Sequence, residues 1–92
     1  MALTRINEFT AAEGREDELY DFLSELRSFI EGSAGCLGVE VLRSVEEDAK
    51  VVVLERWESK EAHHASLANY PPEKMQAARE LLGAPPRGEF FE

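Results

Sequence analysis

Cysteine is almost missing from this chain: Cys36 stands alone. No disulfide can close within it, and no CxxC, HExxH or Cys/His cluster offers the spacing of a zinc site. Positive charge is scarce as well. Ten Lys and Arg face 19 Asp and Glu, a net charge of −9. Nucleic acid and anionic membrane surfaces are thereby disfavoured as partners, because both require clustered cations. No apolar run approaches the roughly 20 residues that cross a bilayer. The opening MALTRINEF lacks the basic start and apolar stretch of a signal peptide. The expectation is a soluble, cytoplasmic protein whose partner is a neutral or apolar small molecule, or another protein.

What is present is periodic. The 92 residues make one domain, 1–92, and a chain so short buries only about 60–65% of its unfolded surface. Leu3 to Phe9 reads as a strand of imperfect alternation, followed by a turn over Thr10 to Gly14. Leu19, Phe22, Leu23, Leu26, Phe29 and Ile30 then form one stripe of an α-helix. Glu16, Asp17 and Glu18 suit the positive end of its dipole, and Gly32 is placed to end it. A second strand is expected over Cys36 to Val45, with Leu37, Val39 and Val41 on one face. Glu46 to Ala49 is a hairpin loop, and Lys50 to Glu58 returns as a third strand. Ser59 can cap a helix running to about Ala68. Pro71-Pro72 breaks the chain and starts a short helix with Met75, Ala78, Leu81 and Leu82 apolar, closed by Gly83. Gly88 to Phe91 is a last strand.

The order β-α-β-β-α-α-β is an α+β arrangement, ferredoxin-like βαββαβ with a split second helix. In it the helices cover one sheet face. Val51, Val52, Val53 and Leu54 are consecutive, a pattern of strands covered on both faces. Burying such a valine contributes about 1.5–3 kcal/mol, so a second copy packed on the bare face is expected. The predicted assembly is a homodimer.

Three segments carry a likeness. Ile6-Asn7-Glu8-Phe9, Gly35-Cys36-Leu37-Gly38-Val39-Glu40-Val41-Leu42-Arg43-Ser44 and Leu54-Glu55-Arg56-Trp57-Glu58-Ser59-Lys60-Glu61-Ala62-His63 together resemble the antibiotic biosynthesis monooxygenase domain family, over roughly residues 3–70. The resemblance implies a dimeric α/β barrel and oxygen chemistry that needs no cofactor, neither metal nor flavin. Members that oxidise polycyclic phenols carry a Trp ending the third strand and a Tyr six residues on. Trp57 matches, His63 replaces the tyrosine, and their strand-three asparagine falls on Val53. In haem-degrading members Asn7 has its match, but the Trp and the iron-ligand His fall on Ser66 and Gln76, so haem degradation is disfavoured.

Cofactor-free oxygenation needs a deprotonated substrate in a dry site, hence a base or hydrogen-bond donor in an apolar cage. His63 shares a helical face with Leu67 and Tyr70 and is directed inward, whereas His64 lies about 100° away, toward solvent. His63 is either a base or a plain half-buried histidine. Trp57 shares a strand face with Val51, Val53 and Glu55; its indole either orients a substrate or packs at a dimer seam. Glu55 either enters the cavity as a base or pairs with an Arg across the interface. Asn7, unfavourable mid-strand, lines the cavity or bonds at a sheet edge. Phe9, Phe22 and Leu54 are candidate walls. Cys36 has no activating base nearby.

The first reading is a homodimeric, cofactor-independent monooxygenase acting on a small phenolic or quinol-like compound, with His63 as base and Asn7 and Trp57 orienting the substrate. The alternatives are a non-catalytic ligand-binding or stress-related dimer, and a ketone isomerase or cyclase on the same scaffold. The last gains weight if Glu55 faces the cavity.

Overall fold

The computed structural model describes residues 2–92. Its elements follow the expected order: β1 (Leu3–Thr10), α1 (Glu16–Glu31), β2 (Cys36–Arg43), β3 (Lys50–Trp57), α2 (Lys60–Ala68), α3 (Pro72–Glu80) and β4 (Arg87–Phe91). The strands form one antiparallel sheet ordered β2-β3-β1-β4, which is the ferredoxin-like topology. β2 stops at Arg43, short of Val45. The Ser44 hydroxyl accepts the N–H groups of Glu46 and Glu47 at 3.1 and 3.0 Å, so a side-chain turn replaces the ladder there.

The apolar stripe of α1 packs on the sheet as its spacing demands. Leu19, Leu23 and Ile30 are buried with Val39, Val51, Val53 and Trp57 in one core. Phe22, Leu26 and Phe29, on the same stripe, remain only half-buried. Gly32 ends the helix in right-handed geometry with φ −82°. The left-handed residue is Gly35, at φ +84°. A Cβ on Gly35 would lie 2.6 Å from the Ala62 Cβ, so glycine is needed both for the turn and for the approach of α2.

A bulge between Cys36 and Gly38 interrupts the β2–β3 register. Leu37 is the extra residue and is 53% exposed, which corrects the expected Leu37–Val39–Val41 face to Val39 and Val41 alone. Pairing of Arg5 with Glu55, Asn7 with Val53 and Phe9 with Val51 fixes the inner face of β1. That explains its imperfect alternation: the inner positions carry polar groups, and Ile6 turns outward. The outer sheet face carries Ile6, Leu42, Val52, Leu54 and Phe91, of which Leu42 and Phe91 are 47% and 43% exposed. No helix among the described residues is long and apolar enough to cross a membrane.

Candidate functional site

Between the inner sheet face and the helices lies a cavity of about 310 Å³, at the small end of the ~300–1,000 Å³ typical of small-molecule sites. Phe9 of β1, Phe22 and Phe29 of α1, Tyr70 after α2 and Met75 of α3 supply apolar walls. All six residues of the α1 stripe, the buried and the half-buried alike, border this space. Arg5, Asn7, Glu55 and His63 supply its polar groups.

Strand alternation puts Glu55 on the buried face between Val53 and Trp57, where it is 6% exposed. One carboxyl oxygen, Oε1, accepts the Trp57 indole N–H at 2.8 Å, and the other, Oε2, accepts the Asn7 amide at 2.9 Å. Asn7 in turn accepts from Arg5 Nε at 3.0 Å. A chain of donors thus runs from Arg5 through Asn7 to Glu55, with Trp57 closing it from the other side. Burial pushes the Glu55 carboxyl above the ordinary carboxylate range, against the opposing pull of the Trp57 N–H, the Arg5 charge and the Asn7 amide.

His63 is held by α2, whose first turn is capped where Ser59 Oγ accepts the Ala62 N–H at 3.2 Å. Its ring stands edge-on to Trp57 at 5.5 Å and to Phe90 at 5.3 Å, and Nδ1 is buried without a hydrogen-bond partner. Burial, then the charges of Arg5 and His64, hold its pKa down at about 4. His63 is therefore neutral at neutral pH. Its Nε2 lies 3.9 Å from Glu55 Oε1, beyond hydrogen-bond reach, so the two are neighbours and not a salt bridge.

The cavity is thus an apolar chamber floored by a buried carboxyl and a neutral imidazole. The family profile described as Antibiotic biosynthesis monooxygenase matches residues 2–81. The chain belongs to that family. No curated protein matches it in sequence. Among solved structures, it is similar to Rv0793 from Mycobacterium tuberculosis, with 18% identity, TM-score 0.86, and 100% of this chain and 94% of that one covered. SnoaB, a cofactor-independent oxygenase from Streptomyces nogalater, is similar at 22% identity and TM-score 0.82, over 99% and 91% of the two chains. A conserved protein from Methanosarcina mazei Go1 gives 14% identity and TM-score 0.88, over 100% and 92%. At such identities these likenesses establish the monooxygenase-family fold.

Within this family member, Asn7, Glu55, His63, Phe9 and Phe22 come together around one cavity. Leu54 does not: its register beside Ile6 and Glu40 places it on the outer sheet face, so it forms no part of the wall. Trp57 is fully buried at 0% exposure and does not border the cavity; its N–H is committed to Glu55. Glu55 lies on the inner face, away from any partner across the outer one. Asn7 belongs to a central strand, not a sheet edge. His64 is exposed, as its helical angle implies. Ser66 directs its hydroxyl to the His63 carbonyl oxygen at 2.8 Å, and Gln76 is exposed on α3. No three His, Cys, Asp or Glu side chains gather as a metal-binding group among the described residues. Burial pushes the Cys36 thiol up, away from thiolate reactivity. Sequence reasoning missed Arg5, Phe29, Tyr70 and Met75 as residues of the site. The period-two rule could have found Arg5, which precedes Asn7 by one pleat on the same strand face.

Proposed function

We propose that this chain is a cofactor-independent monooxygenase that oxidises a small phenolic or quinol-like compound with O2, working as a homodimer. The observation that carries the reading is the buried Glu55 carboxyl, held at both oxygens and facing an aromatic cavity beside neutral His63. The family membership and the printed description of SnoaB as a cofactor-independent oxygenase support the same chemistry. The apolar side chains on the outer face, Leu42 and Phe91 among them open to water, support a second copy as their cover.

Between the two candidate bases, Glu55 is the stronger. Base strength follows the pKa of the conjugate acid, which is about 4 for His63 and raised above 4.5 for Glu55. In this mechanism Glu55 takes the proton of the substrate hydroxyl, and His63 contributes a neutral ring nitrogen that orients the same oxygen. A substrate oxygen set off the line joining them reaches both groups. The electron-rich phenolate passes one electron to O2, and the radical pair combines at ring carbon. Loss of water from the resulting peroxide leaves the quinone. A phenol plus O2 thus gives a quinone plus H2O, one oxygen atom entering each product. Asn7 and Trp57 act through Glu55 by fixing its orientation.

The test is O2 uptake with 1-naphthol or a hydroquinone, using protein freed of metals by a chelator and without added flavin. Turnover is expected, and Glu55→Gln is expected to lower kcat about 100-fold. A compound that binds and is recovered unaltered would assign the chain to the non-catalytic ligand-binding class instead. The position of Glu55 also favours proton transfer on an enolisable ketone. Uptake of deuterium from D2O by such a ketone under argon, lost in Glu55→Gln, marks that activity apart from oxygenation.

A further inference from the structure

Arg5 is a cation without a carboxylate partner in a chain where acid outnumbers base by 19 to 10. Among the described residues it forms no salt bridge within 4.0 Å. Its Nε is occupied by Asn7 Oδ1 at 3.0 Å, which leaves the two terminal nitrogens of the guanidinium unclaimed by any hydrogen bond among the described residues. The group borders the cavity and lies 4.8 Å over the Phe90 ring. Its position is fixed from a second side by Gly88 on β4. A Cβ there would collide with Arg5 Nη2 and lie 2.7 Å from Asn7 Oδ1. Glycine at 88 leaves the space in which this fork of donors is held against the cavity. Unpaired, half-buried guanidinium groups are costly unless an anion completes them, and their fork geometry suits an oxyanion.

We infer that Arg5, positioned by Asn7, Phe90 and Gly88, is the anion subsite of this cavity, and that it receives the negatively charged oxygen of an aromatic substrate. The inference rests on the cavity being a phenol site and deepens that reading. The ligand class it selects is an aromatic ring bearing an oxyanion, with the ring against Phe9, Phe22 and Phe29 and the oxygen at Arg5. The charged groups facing that oxygen are Arg5 from β1 and Glu55 from β3, with neutral His63 from α2 beside them; Arg87 of β4 also borders the cavity, but its pairing with Glu8 turns its charge toward the outer sheet face.

The experiment compares binding of 4-nitrophenolate with that of its neutral methyl ether, 4-nitroanisole, by calorimetry at one mildly alkaline pH. The native protein is expected to bind the phenolate at least about tenfold tighter, the scale of a charge-assisted hydrogen bond. Arg5→Met is expected to abolish that preference while still binding the ether. Gly88→Ala, which keeps every charge but drives the flexible guanidinium from its place, is expected to abolish it too. Arg56→Met removes the same charge from the opposite sheet face and is expected to leave the preference intact. Equal affinity for both ligands in the native protein, or a preference that survives Arg5→Met, overturns the subsite while leaving the aromatic cavity standing. Binding of neither ligand overturns the phenol site and the subsite together. Thermal melts of each variant check that the fold is retained.

Discussion

Glu55 and His63 are two titratable side chains that burial displaces in opposite directions, each toward its uncharged form. For His63 the consequence is acid sensitivity. The unfolded chain takes up a proton near 6.5, whereas the folded one resists until about 4. Between those values the unfolded state binds more protons, so stability falls as pH falls through that window. Glu55, with its raised folded pKa, acts with the opposite sign: it costs stability as pH climbs above 4.5 toward its folded value, and the two effects overlap. Replacing His63 isolates its share. The difference in unfolding free energy between wild type and His63→Gln is expected to shift by about 2–3 kcal/mol between about pH 7.5 and pH 4.5, read from urea titrations at each pH. Trp57 has an equally specific signature. Its N–H lowers the Glu55 pKa, so Trp57→Phe is expected to move the acid limb of the pH–rate profile upward by about half a unit to one unit. A profile that loses amplitude without moving would show that Trp57 does not act through the Glu55 carboxyl.

At the scale of elements, α2 is what delivers His63, and two features seat it. Ser59 caps its first turn, and Gly35 admits Ala62 to within contact of the preceding loop. Gly35→Ala meets both a left-handed φ of +84° and the Ala62 Cβ. It is expected to cost about 2–3 kcal/mol, seen as a lower denaturant midpoint, and to raise KM by displacing α2 from the cavity. Ser59→Ala removes only the cap and is expected to cost about 1 kcal/mol. The contrast between the two variants separates helix stability from helix placement. The third helix is of a different kind: none of its residues is buried, and Met75 covers the cavity while itself 37% exposed.

For the whole molecule, the deciding feature is a sheet with helices on only one face, whose other face carries Ile6, Leu42, Val52, Leu54 and Phe91 among charged side chains such as Glu8, Glu40 and Arg56. Leu42 and Phe91, open to water in the single chain, lie on the two opposite edge strands of that face, and the proposed second copy would cover both. Leu42→Glu places charge on that surface without touching the protomer core. It is expected to weaken self-association at least about tenfold, measured by sedimentation velocity across a dilution series, with the protomer's circular dichroism unchanged. A chain that sediments as a monomer before any substitution would remove the homodimer from the proposed function.

Patterning alone determined the architecture. The six apolar positions of α1 and the Val51–Leu54 run are local signals, because burial of a stripe or a face needs only the helical or strand period to be legible. Ser59 and the Pro71-Pro72 break were legible for the same reason, since caps and prolines act on their immediate neighbours. The site needed the fold. The bulge at Leu37 and the outward turn of Leu54 depend on cross-strand register, which no single segment encodes. That Trp57 serves Glu55 and not a ligand follows from a 2.8 Å contact between two side chains of one strand. Which group has an unpaired charge, and where, is settled only when β1, β3, β4 and α2 meet. Arg5 becomes a candidate for anion binding because Asn7 takes one of its donors and Gly88 makes room for the rest, and Gly88 comes from a strand far from β1 in the chain.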